Sequence, residues 1–331
     1  MKKISTIVLS LLFLLLGTAC ERKNNLIRIN EVTHSVFYAP LYLAESLGYF
    51  EEEGIAIELT NGGGADNTMA AVLSGSADIG FCGPEAALYV LIGGSTDVPK
   101  VIGQLTKRDG SFLVSRKAEP NFRWSDLKDK EILAGRKGGV PAMTFEYVLN
   151  NNGLYDGVNT KLNYDVAFNL MTSAFEAGTA DYCTMFEPVA SEYQAAGKGT
   201  IVASVGEASG EVPYTCFLAK ESWIAANESK VEGFLRAVTK ATKYALEADT
   251  TEIASLLVRH FESTSLSSLR TSVESYRRID AWMTNLSMTE DSFNRLQTII
   301  ENAGELSRRA TLSELVINDY AESAYQATYQ G

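Results

Sequence analysis

The sequence predicts an α/β protein of two lobes, each a mostly parallel sheet covered by helices, with extra helices at the C-terminal end. Three observations predict it. Short apolar strands alternate with helical stretches from residue 27 onward. The same alternation begins afresh in the middle of the chain, and after Glu221 only helical spacing remains. Strand, helix and strand at this pitch favour parallel strands with helices packed on the sheet faces. The 331 residues suffice for two cores of roughly 150 residues each.

The elements follow in order. Ile27, Arg28 and Ile29 alternate as an opening strand, and residues 32–38 read as a loop. Residues 39–48 carry Leu41, Ala44 and Leu47 at helical spacing, and Gly54 suits a left-handed cap after Glu51, Glu52 and Glu53. Residues 55–59 form the next strand. Gly62, Gly63 and Gly64 follow, with Asp66 or Asn67 placed to cap a helix reaching Leu73, and residues 77–81 make a third strand. In the middle, residues 130–134 read as a strand, Gly138 and Gly139 as a turn, and Pro141 as the first position of a helix ending near Asn150. Strands at 162–166, 182–186 and 200–205 and a helix at 171–177 complete that module. Segments 105–114 and 214–218 flank it and read as crossings between lobes, so the middle module is inserted into the first. Beyond Glu221, Val231, Phe234, Leu235, Val238 and Ala245 share one helix face, and Phe293, Leu296, Ile299 and Ile300 another. These stripes read as core packing.

Composition narrows the function. The formal net charge is −12, with 46% apolar and 21% charged residues. An acidic chain with dispersed charge is a poor ligand for a phosphate backbone, so nucleic acid is not an expected partner. Lys2 and Lys3, an apolar run over residues 4–16, and the small residues Gly17, Thr18 and Ala19 before Cys20 have the form of a secretory leader. The apolar run is short for a membrane-spanning helix. Cys82, Cys183 and Cys216 stand apart in apolar runs without a C-x-x-C pair, which favours core thiols over a metal or redox site. No nucleophile elbow, H-E-x-x-H, P-loop or G-x-G-x-x-G occurs, because Asn67 stands where the last glycine of that fingerprint would fall after Gly62 and Gly64. Neither an enzymatic activity nor a cofactor is expected.

Tyr38-Ala39-Pro40-Leu41-Tyr42-Leu43-Ala44, then Gly48-Tyr49-Phe50-Glu51-Glu52-Glu53-Gly54, then Ser74-Gly75-Ser76-Ala77-Asp78-Ile79-Gly80 resemble one family. It is the nitrate, sulfonate, taurine and thiamine-precursor group of ABC-transporter periplasmic substrate-binding proteins, with its thiamine-pyrimidine-synthase-like branch. The match is dense over residues 27–85, continues through Gly138-Gly139-Val140-Pro141 and Phe186-Glu187-Pro188, and fades in the C-terminal helices. The resemblance implies the type II periplasmic-binding-protein fold and an ABC permease and ATPase as partners. Cys20 resembles the lipobox cysteine of bacterial lipoproteins, with Gly17 where that pattern has Leu. The expected organisation is a leader at 1–19, a lipidated Cys20 and tether at 20–26, lobe 1 at 27–108, the inserted lobe 2 at 109–213, and a return to lobe 1 with the C-terminal helices at 214–331. The expected protein is an exported monomer held on the outer face of the membrane by its lipid alone.

Ligands of open α/β sheets bind beyond the carboxyl ends of the strands, where helix N-termini present free N–H groups. Gly63, Gly64 and Asp66 in one lobe, and Gly138 and Gly139 in the other, are therefore candidates, although both loops also read as ordinary tight turns. His34, Phe37 and Tyr38 follow the first strand, where the two aromatics suit a flat ring and His34 a hydrogen bond. Glu187 and Glu85 follow strands of the two lobes and suit an amino group. Tyr182 and Met143 are further wall candidates. In the pyrimidine-synthase branch a histidine near the cleft is a reactant, but the Cys-rich iron motif of that branch has no counterpart here. Aromatics with carboxylates suit an aromatic, amine-bearing heterocycle such as a pyrimidine or thiamine precursor. The alternatives are a sulfonate, taurine or nitrate binder, a receptor for a membrane sensor, and a synthase-like enzyme.

Overall fold

The computed structural model of the protein describes residues 25–330. The expected leader and Cys20 lie outside the described residues. Among the described residues ten strands form two five-stranded sheets: β1 (Leu26–Glu31), β2 (Ala56–Asn61), β3 (Ile79–Cys82), β4 (Pro99–Thr106), β5 (Ser111–Ser115), β6 (Glu131–Leu133), β7 (Lys161–Asn163), β8 (Tyr182–Phe186), β9 (Thr200–Ser204) and β10 (Thr215–Lys220). The first sheet has the order β2-β1-β3-β10-β4 and the second β7-β6-β8-β5-β9. In each sheet a single strand, β10 or β5, runs against the other four. Those two strands are the ones the chain enters directly after passing between the sheets, at 107–110 and at 205–214. The α/β class with two helix-covered, mostly parallel sheets is thus the architecture of the protein.

The main apolar core runs through both sheets, taking in Phe112, Val114, Leu133, Cys183 and Met185 of the second as well as the strands of the first. Leu113, Leu127, Ile132, Phe145 and Leu149 form a cluster on the second sheet, separate from the main core. The main core is closed by the helix Glu228–Glu247, which buries the predicted stripe of Val231, Phe234, Leu235, Val238 and Ala245 completely. Phe234 meets Phe50 at 5.5 Å and Phe217 at 4.9 Å between ring centroids. Full burial of such a ring contributes roughly 2–3 kcal/mol. Phe293, Leu296, Ile299 and Ile300 are likewise buried, on the helix Glu290–Asn302. Cys82, Cys183 and Cys216 are buried free thiols, and burial pushes all three up from the ordinary thiol value.

Several elements differ from the pattern-based reading. Leu105 and Thr106 close β4, and Leu113 and Val114 lie within β5, so the crossing itself is the short turn between them. Residues 214–218 mostly build β10 in the centre of the first sheet. The strand expected at 162–166 ends at Asn163, and the chain then turns away. There the Asn163 side chain accepts from the Asp165 N–H at 3.0 Å, a local bond that competes with continuing the ladder.

Candidate functional site

A cavity of about 470 Å³ opens at the carboxyl ends of the strands, with walls from both sheets. From the first side come Val32 and Thr33 after β1, Tyr38, the Gly63–Asn67 loop, Gly83 and Glu85 after β3, and Tyr214 and Thr215 at the start of β10. From the second come Arg136, Gly139, Val140 and Pro141, residues 164–169 after β7, and Phe186 at the end of β8. This volume lies within the usual range for small-molecule sites.

One glycine-led helix tip from each half faces the cavity. The helix Ala65–Ser74 follows Gly64 and the helix Val140–Asn151 follows Gly139, and neither has a side-chain cap. Among the described residues the first N–H groups of the Ala65–Ser74 helix are thus free of side-chain partners and available to an acceptor, whereas the second tip gives its Val140 N–H to Glu85. Glycine is required in the first loop for two reasons. Gly63 and Gly64 have φ of 68° and 154°. A Cβ on Gly62 would lie 2.7 Å from Thr68 Oγ1. Asp66 and Arg136 form an ion pair across the mouth, with both side chains largely exposed.

Glu85 is the deep polar feature. It begins the helix Glu85–Ile92 and is 3% exposed. Its Oε1 accepts from the Val140 N–H at 3.4 Å, while Oε2 has no hydrogen-bond partner among the described residues. Burial pushes its carboxyl up to about 7, although backbone N–H groups pull the other way. Gly83 is glycine because a Cβ there would collide with the Glu85 carboxyl. Arg136 is the only cationic side chain on the cavity wall among the described residues, and it is committed to Asp66. Five aromatic residues lie on the wall among the described residues, with Phe168 edge-on to Phe186 at 5.9 Å and Tyr38, Tyr164 and Tyr214 nearby.

Of the residues singled out from sequence, Tyr38, Gly63, Gly64, Asp66, Glu85 and Gly139 line this cavity. Gly138 sits just behind it, its carbonyl accepting from the Tyr89 hydroxyl at 3.1 Å. Five others stand outside. Phe37, in the 3-10 turn Val36–Tyr38, lies one layer behind the wall: its ring packs on Tyr276 at 4.9 Å and backs the wall rings of Tyr38, Phe186 and Tyr214 at 5.5, 5.8 and 5.7 Å. His34 faces Glu31 and the C-terminal helices. Met143 is buried one turn into its helix, where its sulfur contacts the Tyr89 hydroxyl at 3.7 Å. Tyr182 begins β8, the end remote from the cavity, and its hydroxyl donates to Glu119 at 2.9 Å. Glu187 is buried, and its carboxylate accepts from Ser191 N–H and Oγ at 2.9 and 2.7 Å. Its backbone joins the halves instead, taking Ser35 Oγ–H on the carbonyl at 3.0 Å and giving its N–H to the Tyr276 hydroxyl at 2.9 Å.

Sequence reasoning missed residues 164–169, Phe186, Tyr214 and Thr215 as wall. The Asn163-Tyr164-Asp165 run carried a usable turn signal. Phe186 was available as the carboxyl end of its strand.

Two α/β halves, each with one reversed strand, facing one another across a cleft define a periplasmic-binding-protein fold. The chain belongs to the NMT1/THI5-like family, whose model matches residues 36–251. It is 39% identical over 306 residues to YtlA of Bacillus subtilis, named as a binding protein, covering 92% of each chain. It is 28% identical to a 4-amino-5-hydroxymethyl-2-methylpyrimidine phosphate synthase of Aspergillus parasiticus, over 63% of each chain. Among solved structures, the periplasmic nitrate-binding protein NrtA of Synechocystis PCC 6803 superposes with a TM-score of 0.76 at 14% identity, covering 93% of this chain and 90% of the other.

Proposed function

We propose that the protein is the extracytoplasmic solute-binding component of an ABC importer, taking an aromatic, amine-bearing heterocycle such as a pyrimidine into the cleft. The observation that carries the ligand class is Glu85, a buried carboxyl with one oxygen unpartnered among the described residues, in a cavity that Tyr38, Tyr164, Phe168, Phe186 and Tyr214 help to line. An aminopyrimidine edge presents an N–H donor beside a ring nitrogen. It pairs with a carboxyl as the acid, or as the carboxylate if the ring is protonated. The rings of Tyr38, Phe168 and Phe186 suit its faces, and the two uncapped helix tips suit an acceptor or anionic substituent at its other end. The relative named as a binding protein and the binding-protein fold support capture and delivery rather than turnover. Export, lipidation at Cys20, a permease and ATPase, and the monomeric state belong to the same proposal.

Ligand bridging both halves favours the closed arrangement only through the contacts made there. The test is thermal unfolding of the purified protein with 4-amino-5-hydroxymethyl-2-methylpyrimidine, with taurine and with an alkylsulfonate. Mass action stabilises the folded state by about 2.7 kcal/mol at a hundredfold excess over Kd. A shift with taurine or the alkylsulfonate and none with any heterocycle would reverse the ligand class. Mass spectrometry after overnight incubation is expected to return the pyrimidine unchanged, and turnover would replace binding with catalysis.

A further inference from the structure

The chain has two histidines, and they meet outside the cavity. His34 Nδ1 lies 2.8 Å from Glu31 Oε1, and His34 Nε2 lies 2.8 Å from the His260 carbonyl oxygen. The Tyr42 hydroxyl sits 3.1 Å from Nδ1, but it gives its hydrogen to Glu31 Oε2 at 2.6 Å, so toward His34 it presents a lone pair. Both ring nitrogens of His34 therefore face acceptors. A neutral imidazole has one N–H and satisfies only one of them; an imidazolium satisfies both. Glu31 is 2% exposed, and His34 and Tyr42 are the partners of its carboxylate among the described residues. Without the second N–H, either a buried carboxylate or a main-chain carbonyl loses its donor.

The other charged and titratable groups around this cluster are accounted for. His260 faces the Ser46 hydroxyl at 3.0 Å, and burial with Arg259 pushes it down to about 4, so it is neutral near pH 7. Arg259 pairs with Glu45 at 3.4 Å, and Glu45 Oε2 lies 3.9 Å from His260 Nδ1. The His34 ring stacks on Phe261 at 4.5 Å. His34 lies between Thr33 and Tyr38, which line the cavity, and the Ser35 N–H points to the Tyr42 hydroxyl at 3.4 Å.

We propose that His34 is a positioning residue that acts as an imidazolium, tying the cavity-wall segment 32–38 to the C-terminal helices, so that loss of its proton loosens that wall. The direction agrees with the carboxylate and carbonyl partners, which raise His34 above the ordinary histidine value against the opposing effect of burial. The mechanism is independent of which ligand the cavity holds.

Nuclear magnetic resonance tests it without a ligand. With two histidines in the chain, a His260→Gln variant assigns both imidazole signals. His34 is expected to show protons on both ring nitrogens at pH 6.5 and to titrate above the ordinary value. Protection of the Ser35, Phe37 and Tyr38 amides at pH 6 should be about tenfold or more greater in the wild type than in His34→Gln, the usual worth of a charge-assisted hydrogen bond. That gap should close as pH rises through the His34 titration. A single neutral tautomer at pH 6.5, titration at or below the ordinary value, or equal protection in the variant would each overturn the proposal. The titration is read on the wild-type protein, so poor folding of the variant leaves the proposal exposed to refutation.

Discussion

Glu85→Gln separates the charge of this side chain from its shape. In the folded chain burial raises the carboxyl from its ordinary 4.5 to about 7. Below about pH 4.5 folded and unfolded chains both hold the proton. Between 4.5 and 7 the folded chain keeps a proton that the unfolded chain releases, so stability falls as pH rises across that window. Above pH 7 the full cost applies, roughly 3 kcal/mol. Glutamine keeps the volume and carries no charge at any of these values. Urea unfolding at pH 5 and pH 8 measures the difference. The variant and wild type should lie within about 1 kcal/mol of each other at pH 5, and the variant should be more stable by about 3 kcal/mol at pH 8. Asp109, buried beside Ser111 and also pushed up to about 7, steepens both profiles equally and cancels in the comparison. Parallel pH profiles in the two proteins would show that Glu85 is not an unpaired buried acid, and the argument for a donor-bearing ligand would fall with it.

Gly83→Ala places a methyl group against the Glu85 carboxyl; calorimetry should find pyrimidine binding lost and stability lowered by about 1–3 kcal/mol. Arg136→Ala breaks an ion pair whose side chains are 61% and 65% exposed. Its unfolding free energy should therefore change by no more than about 1 kcal/mol, while stopped-flow measurement should show faster ligand dissociation because a contact across the mouth is gone. Trp282→Phe removes the indole N–H that donates to the Phe37 carbonyl at 2.8 Å. Denaturant unfolding should register a loss of about 1–3 kcal/mol for the orphaned carbonyl.

Much of the fold was legible because the patterns that specify it are local. The opening strands and the stripe from Val231 to Ala245 needed only periodicity. The wall glycines were found because a loop that must reach φ near 154° at Gly64 declares itself by residue type. Direction was harder to read. Phe37 and Tyr38 are adjacent and alike, and only the 3-10 turn decides which ring enters the core and which the cavity. Tyr182 and Phe186 bound one strand, and only the placement of the cleft at its carboxyl end separates wall from scaffold. Glu187 looked like a ligand acid, yet the start of the helix Val189–Ala195 claims both its oxygens through Ser191. The Tyr164–Asn169 wall was hidden because Leu162, Tyr164 and Val166 alternate as a strand does, which masked the turn signal of Asn163 and Asp165.

The polarity of the cavity bears directly on the choice among ligands. Nitrate or an alkylsulfonate would satisfy the helix tips but bring no donor for Glu85, so closing over it would either require the protonated acid or leave a buried carboxylate unpaired at a cost of about 1–3 kcal/mol or more. Taurine carries both an ammonium and a sulfonate, so it meets the polar requirement. It is aliphatic and small, however, and within about 470 Å³ it would leave the rings of Tyr38, Phe168, Phe186 and Tyr214 without a partner. An aminopyrimidine meets both requirements at once, since its edge reaches the acid while its faces cover the rings, each such stack adding about 0.5–1.5 kcal/mol. Phe168→Ala is therefore the discriminating variant. It should weaken a pyrimidine by up to about tenfold and leave taurine unaffected. Equal loss for both in isothermal calorimetry would mean that this ring shapes the cavity without recognising the ligand.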